Sequence, residues 1–133
     1  MVQVMLRKGL VMTLSNIVIE QCREKLLIKK AEILNRIRAE RSAHNELDFK
    51  GDETDLAVSN LAEHQFLTAQ SRMRELLLEI EVALSRIEQG RFGLCEETEE
   101  PIETERLLAI PWTRLSIEGA EIREDLSKRF MRS

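Results

Sequence analysis

The sequence predicts a mainly α fold, and three features carry that prediction. Apolar residues make up 43% of the 133 positions and charged ones 33%, against 4% aromatic. That balance suits long solvent-washed helices better than a sheet, which needs turn residues about every 8–12 positions. Between Leu10 and Gln89 there is no proline and one glycine, Gly51, so about eighty residues are free of helix breakers except near their midpoint. Within that stretch apolar residues return every seven positions, the period of a coiled-coil seam. Together these describe a long antiparallel coiled-coil hairpin.

The elements follow in order. Residues 1–14 form an N-terminal segment in which Arg7 and Lys8 follow six mostly apolar residues, the reverse of a secretory signal. Only two cysteines, Cys22 and Cys95, are present, where a small secreted domain would carry several pairs. A cytoplasmic protein is therefore expected, and no run approaches the ~20 apolar residues that span a bilayer. Residues 15–90 are the hairpin. Its second arm has Phe66, Met73, Ile80 and Ile87 interleaved with Ala69, Leu76 and Ala83. Its first arm offers Ile19, Leu26 and Ile33, with Leu27, Leu34 and Ile37 beside them. At ~1.5 Å per residue each arm would extend roughly 50 Å. The tip falls near residues 47–57, where Gly51 permits a strained backbone and Asp52 can cap the returning helix.

After Gly90 the character changes. Gly93, Pro101 and Pro111 make residues 91–118 a compact irregular module, with a core expected from Trp112, Leu108, Ile110, Ile117 and Ile122. Residues 119–133 then form a C-terminal helix. Its Ile122, Leu126 and Phe130 share a face, with acidic residues early and Lys128, Arg129 and Arg132 late, as the helix macrodipole favours. That face is expected to dock against the base of the hairpin.

Several function classes are disfavoured. A net charge of −4 and a pI near 5.4 give no electrostatic footprint for DNA or an anionic membrane. No Ser/His/Asp set, nucleophile elbow, phosphate-binding glycine loop or His-x-x-x-His pair is present, so an enzyme is not expected. Cys95 is followed by Glu96, Glu97, Glu99 and Glu100, but structural zinc takes four sulfur or imidazole ligands. One thiol is available there, and His44 and His64 fall on the hairpin arms. No cofactor is expected. At the tip, Asp52 and Asp55 lie three residues apart. They suit ordinary helix capping first, and as the alternative a pair of carboxylates presented at the end of a long support.

Three motifs in order, Asp52-x-x-Asp55-x-Ala57, then Gly90-x-Phe92-Gly93-x-Cys95, then Arg106-Leu107-x-Ala109-x-Pro111, give the chain a resemblance to the DksA/TraR family of bacterial transcription factors. The resemblance covers roughly residues 19–130. It implies a coiled-coil hairpin, a small four-cysteine zinc finger, a C-terminal helix, and binding to RNA polymerase rather than sequence-specifically to DNA. It further implies that the hairpin enters the polymerase secondary channel, bringing Asp52, Asp55 and Ala57 to the catalytic centre to alter promoter-complex stability, in the manner of the stringent response. The family's four cysteine positions here read Cys95, Thr98, Ser116 and Gly119. The finger is thus degenerate and expected to hold without zinc, by packing. The positions matching the family's ppGpp contacts read Arg72, Glu79, Ile110 and Ala120, one of them basic, so weak or absent ppGpp dependence is expected. A monomer is favoured, because the turn gives the intramolecular hairpin a high effective concentration. The competing reading is a coiled-coil adaptor or oligomerisation protein that has lost polymerase regulation.

Overall fold

The computed structural model describes residues 16–47 and 56–132. Four helices are present among them: α1 (Asn16–Leu47), α2 (Leu56–Gln89), α3 (Thr104–Ala109) and α4 (Ile117–Arg132). No strand occurs among the described residues, where the extended pairing is one isolated antiparallel bridge, Leu94 with Pro101. The fold is therefore mainly α, with α1 and α2 running 32 and 34 residues. No helix is long and apolar enough to cross a membrane among the described residues. The chain divides into two compact units, one of Leu27–Glu79 and one of Met1–Leu26 with Ile80–Ser133.

In the first unit α1 and α2 pair antiparallel through Ile33 and Ile37 on one side and Gln70 on the other, all three buried. The seam differs in two places from the apolar reading. Ala69 is exposed and Gln70 turns inward, because at 100° per residue the spacing Phe66, Gln70, Met73 is as good a seam as Phe66, Ala69, Met73. Gln70 partly satisfies itself there: its Nε2 donates to the Ile37 carbonyl at 3.5 Å, while Oε1 is buried with no partner. On α1, Leu27 is 46% exposed, and Leu26 takes the inward position in the other unit. Asp52 and Asp55 lie outside the described residues. Ala57, in the first turn of α2, is exposed.

The second unit is closed by a different core from the one its apolar residues imply. Cys22, Leu26, Ile80 and Ala83 on the long helices and Phe92, Cys95, Ile102 and Leu107 in the module are all buried. Of the expected set, Ile117 is 50% exposed, and Leu108, Ile110, Trp112 and Ile122 are only half-buried. The six-residue α3 turns Leu107 inward, while Ile117 opens α4 on the solvent side. Two side chains on α1 tie α3 down: the Cys22 thiol donates to the Leu107 carbonyl at 3.6 Å and Lys25 Nζ to the Leu108 carbonyl at 2.8 Å. The docking expected of α4 holds less far than its apolar stripe reads, since Leu126 and Phe130 are 43% and 80% exposed.

Candidate functional site

The module following α2 is set by how that helix ends. Gly90 adopts φ +72°, its N–H donates to the Ile87 carbonyl, and Arg91 N–H donates to the Arg86 carbonyl. This is the Schellman arrangement, in which a left-handed glycine satisfies the last carbonyls of a helix. It turns the chain so that Phe92 enters the core and Cys95 follows. A tight loop then forms, with Cys95 N–H donating to Glu100 O and Glu99 N–H to Cys95 O. It requires a left-handed φ of 60° at Glu99. The chain returns through Ile102 N–H to Gly93 O.

The four positions Cys95, Thr98, Ser116 and Gly119 do converge. Thr98 N–H donates to Cys95 Sγ at 3.5 Å. Ser116 is the N-cap of α4, its Oγ accepting from Gly119 N–H at 3.0 Å, and Glu103 Oε1 accepts from Ile117 N–H at 3.2 Å. A Cβ on residue 119 would lie 2.4 Å from Cys95 Sγ and 3.4 Å from Ser116 Oγ, so the thiol occupies room that glycine leaves open. Burial pushes the Cys95 thiol up, but hydrogen bonds from the side chains and backbone of Ser116 and Thr98 outweigh it and bring the pKa down to about 6. Cys22 has no such donors. Burial raises its pKa against the smaller opposing pull of Lys25, which marks an inert core thiol.

Around this cradle the acidic run is not simply solvated. Glu96 is paired with Arg86, and with Arg114 and Arg123 at 3.4 Å each, while Arg123 also reaches Glu97 at 3.0 Å. Burial opposes ionisation of Glu96, and Arg86 with Arg114 overcomes it, holding the carboxyl below the usual range. These arginines stand 10, 18 and 27 positions from Glu96, so no local pattern announces them. A cleft of about 440 Å³ opens beside the cluster, lined by Arg86, Arg91, Leu94, Cys95, Glu96 and Glu99. Arg72 stands exposed on α2. Glu79 shares that helix, whereas Ile110 and Ala120 belong to the other unit.

A helical hairpin whose second arm runs through a Schellman turn into a finger-like module, with an N-capped helix after it, defines a class of proteins rather than a general helical bundle. Residues 90–125 match the family described as the prokaryotic dksA/traR C4-type zinc finger. The chain is 39% identical over 108 residues to the RNA polymerase-binding transcription factor DksA of Caulobacter vibrioides, covering 80% of this chain and 75% of that one. It is 34% identical to an uncharacterised protein of Aquifex aeolicus, covering 86% and 82%. The structure of transcription factor DksA2 from Pseudomonas aeruginosa superposes with a TM-score of 0.78 at 33% identity, covering 86% of this chain and 88% of that one. The chain belongs to the DksA/TraR family.

The comparison also corrects one expectation. The incomplete cysteine set led to a module without zinc and without any cofactor, and the match of residues 90–125 to a C4 zinc finger overturns that by pointing to zinc binding. In this chain the four ligand positions are brought together, and Cys95 is held toward the thiolate that a zinc ligand must be. Cys95 supplies the one sulfur, Thr98 and Ser116 supply hydroxyls, and Gly119 supplies no donor. Among the described residues no group of three or more His, Cys, Asp or Glu converges. These side chains by themselves do not complete a tetrahedral four-donor centre.

Proposed function

We propose that the protein is a transcription regulator that binds bacterial RNA polymerase directly, acts in the cytoplasm as a monomer, and is not an enzyme. The observation that carries this is the 39% identity with the Caulobacter polymerase-binding factor across three quarters of that protein's length. The hairpin would enter the secondary channel and bring Asp52, Asp55 and Ala57 to the catalytic centre, where two carboxylates change the stability of promoter complexes. Two features support the reading: the arms of 32 and 34 residues, and an exposed Ala57 small enough to allow close approach. The module after the hairpin then serves to hold the arms in place. ppGpp contributes little, since of the four matching positions only Arg72 is basic and Glu79 would repel a polyanion.

The test is capture of purified RNA polymerase by the wild-type protein, followed by single-round transcription from a ribosomal promoter with wild type and with Asp52→Asn/Asp55→Asn. Asparagine caps helices as well as aspartate, so the variant removes charge and keeps the fold. Wild type is expected to bind and change initiation, and the variant to bind without effect. A fully active variant would reduce Asp52 and Asp55 to caps. Failure of wild type to bind would make family membership a matter of ancestry and leave a coiled-coil adaptor as the function.

A further inference from the structure

From Arg123 to Met131 every residue of α4 is exposed, so apolar burial does little to fix where this helix lies. A helix of 16 residues is marginal in water on its own, and its docking rests on its first two turns. There Arg123 reaches across to the loop that follows α2. Its Nε lies 3.0 Å from Glu97 Oε2 and its Nη2 3.4 Å from Glu96 Oε1. The other oxygen of Glu96 faces Arg86 of α2 and Arg114 Nη1, the latter at 3.4 Å. The Glu96 N–H also donates to the Arg114 carbonyl at 2.9 Å. One carboxylate therefore meets guanidinium groups from three segments that arrive separately, and all of them belong to the same compact unit.

We propose that Glu96 and Glu97, with Arg114 and Arg123, form a charged strap that fastens α4 to the loop of residues 95–100, and that Arg86 holds Glu96 in position for it. The strap spans the same two stretches of chain as the four ligand positions. Glu96 and Glu97 lie between Cys95 and Thr98, while Arg114 and Arg123 flank Ser116 and Gly119. It joins those stretches through side-chain charge, whatever occupies the cradle between them. Isolated surface ion pairs contribute little, and a network of several charges contributes more. This one is a network, and its inner members are partly withdrawn from water, with the side chains of Arg86 and Glu96 17% and 27% exposed. Salt screens such attraction, over about 10 Å at 0.1 M and about 3 Å at 1 M. High ionic strength therefore loosens the strap and lets α4 leave the loop, while the apolar core of Phe92, Ile102 and Leu107 stays closed. The inference concerns the module and does not depend on polymerase binding.

Native-state hydrogen exchange of the full chain tests it, read at the amides of α4 from Ile122 to Ser127, with Ile80 to Ala83 of α2 as reference, and corrected for intrinsic rates. In wild type the α4 amides are expected to lose about fivefold in protection between about 0.1 M and about 1 M sodium chloride, the factor for a small network of partly exposed pairs. The reference amides should not follow. Arg123→Leu should show that loss already at low salt and no further response to salt. Arg123→Lys keeps the charge without the guanidinium fork, and should regain part of the protection together with its salt dependence. Glu96→Gln should lower protection on α4 although residue 96 lies outside that helix. Each measurement is made with and without added zinc ions, and the loss in Arg123→Leu should appear in both. Wild-type α4 amides indifferent to salt overturn the proposal, as does an Arg123→Leu protein that matches wild type or keeps its salt response under either condition. Should Glu96→Gln not fold, the two Arg123 variants decide the matter by themselves.

Discussion

Gly119→Ala puts a single methyl group into the tightest place in the module. The new Cβ would stand 2.4 Å from Cys95 Sγ, with Glu97 Cβ and Ser116 Oγ each at 3.4 Å. An ordinary contact is about 3.5 Å or more, so the sulfur must retreat by about 1 Å. It has nowhere simple to go, because Cys95 is 2% exposed and its sulfur is held by Thr98 N–H. Overpacking of this kind costs about 1–3 kcal/mol, and the better helix propensity of alanine returns less than about 1 kcal/mol in the first turn of α4. The net expectation is a loss of about 1–2 kcal/mol, or roughly 4–8 °C in Tm for a chain of this size. Thermal and urea melts of Gly119→Ala, Cys95→Ala and the double variant form a cycle that isolates the clash. With the sulfur gone the added methyl should cost nothing, so the coupling between the two sites should be about 2 kcal/mol. A Gly119→Ala protein as stable as wild type would refute the reasoning. So would the same loss in the Cys95→Ala background.

Two further substitutions should stabilise. Glu99 holds φ 60° with a side chain that exposes itself to solvent, and glycine at that position relieves about 1 kcal/mol of left-handed strain; Glu99→Gly should therefore raise the urea midpoint, and a lowered midpoint would show that the side chain matters more than the backbone. Gln70→Leu removes a buried acceptor that has no partner and a 3.5 Å bond at the limit of geometry. It should gain about 1–2 kcal/mol, seen as a Tm higher by roughly 4–8 °C, whereas a lower Tm would mean that an ordered water satisfies Oε1.

The sequence by itself determined the helical hairpin, because helix period and freedom from breakers are properties of neighbours along the chain. Phe66, Met73 and Ile80 could be read as one face without knowing what they would meet. The family was also legible, since its motifs are short runs such as Gly90 to Cys95 whose glycines are required by a turn. Even so, the seam was misread at Ala69 and Gln70, where hydrophobicity favoured the alanine and the rotation of the helix buried the glutamine. Asp52, Asp55 and Ala57 rest on a motif alone, and the role proposed for them is read from it. The expectation of a module without a metal came from counting sulfur atoms, and the family match to a C4 finger overruled that count.

What only the tertiary structure decided was everything built from distant partners. The module's core comes from Cys22, Leu26, Ile80 and Ala83 on the long helices more than from its own Trp112 or Ile117, because short irregular segments cannot bury their apolar groups against themselves. Glu96 looked like part of a solvated acidic run until Arg86, Arg114 and Arg123 were brought to it across 10, 18 and 27 positions. His44 looked like one histidine on a polar arm until α2 set Glu63 and Phe66 against it. Burial and pairing depend on which surfaces meet in space, and a chain read in one dimension carries the period of its helices but not their partners.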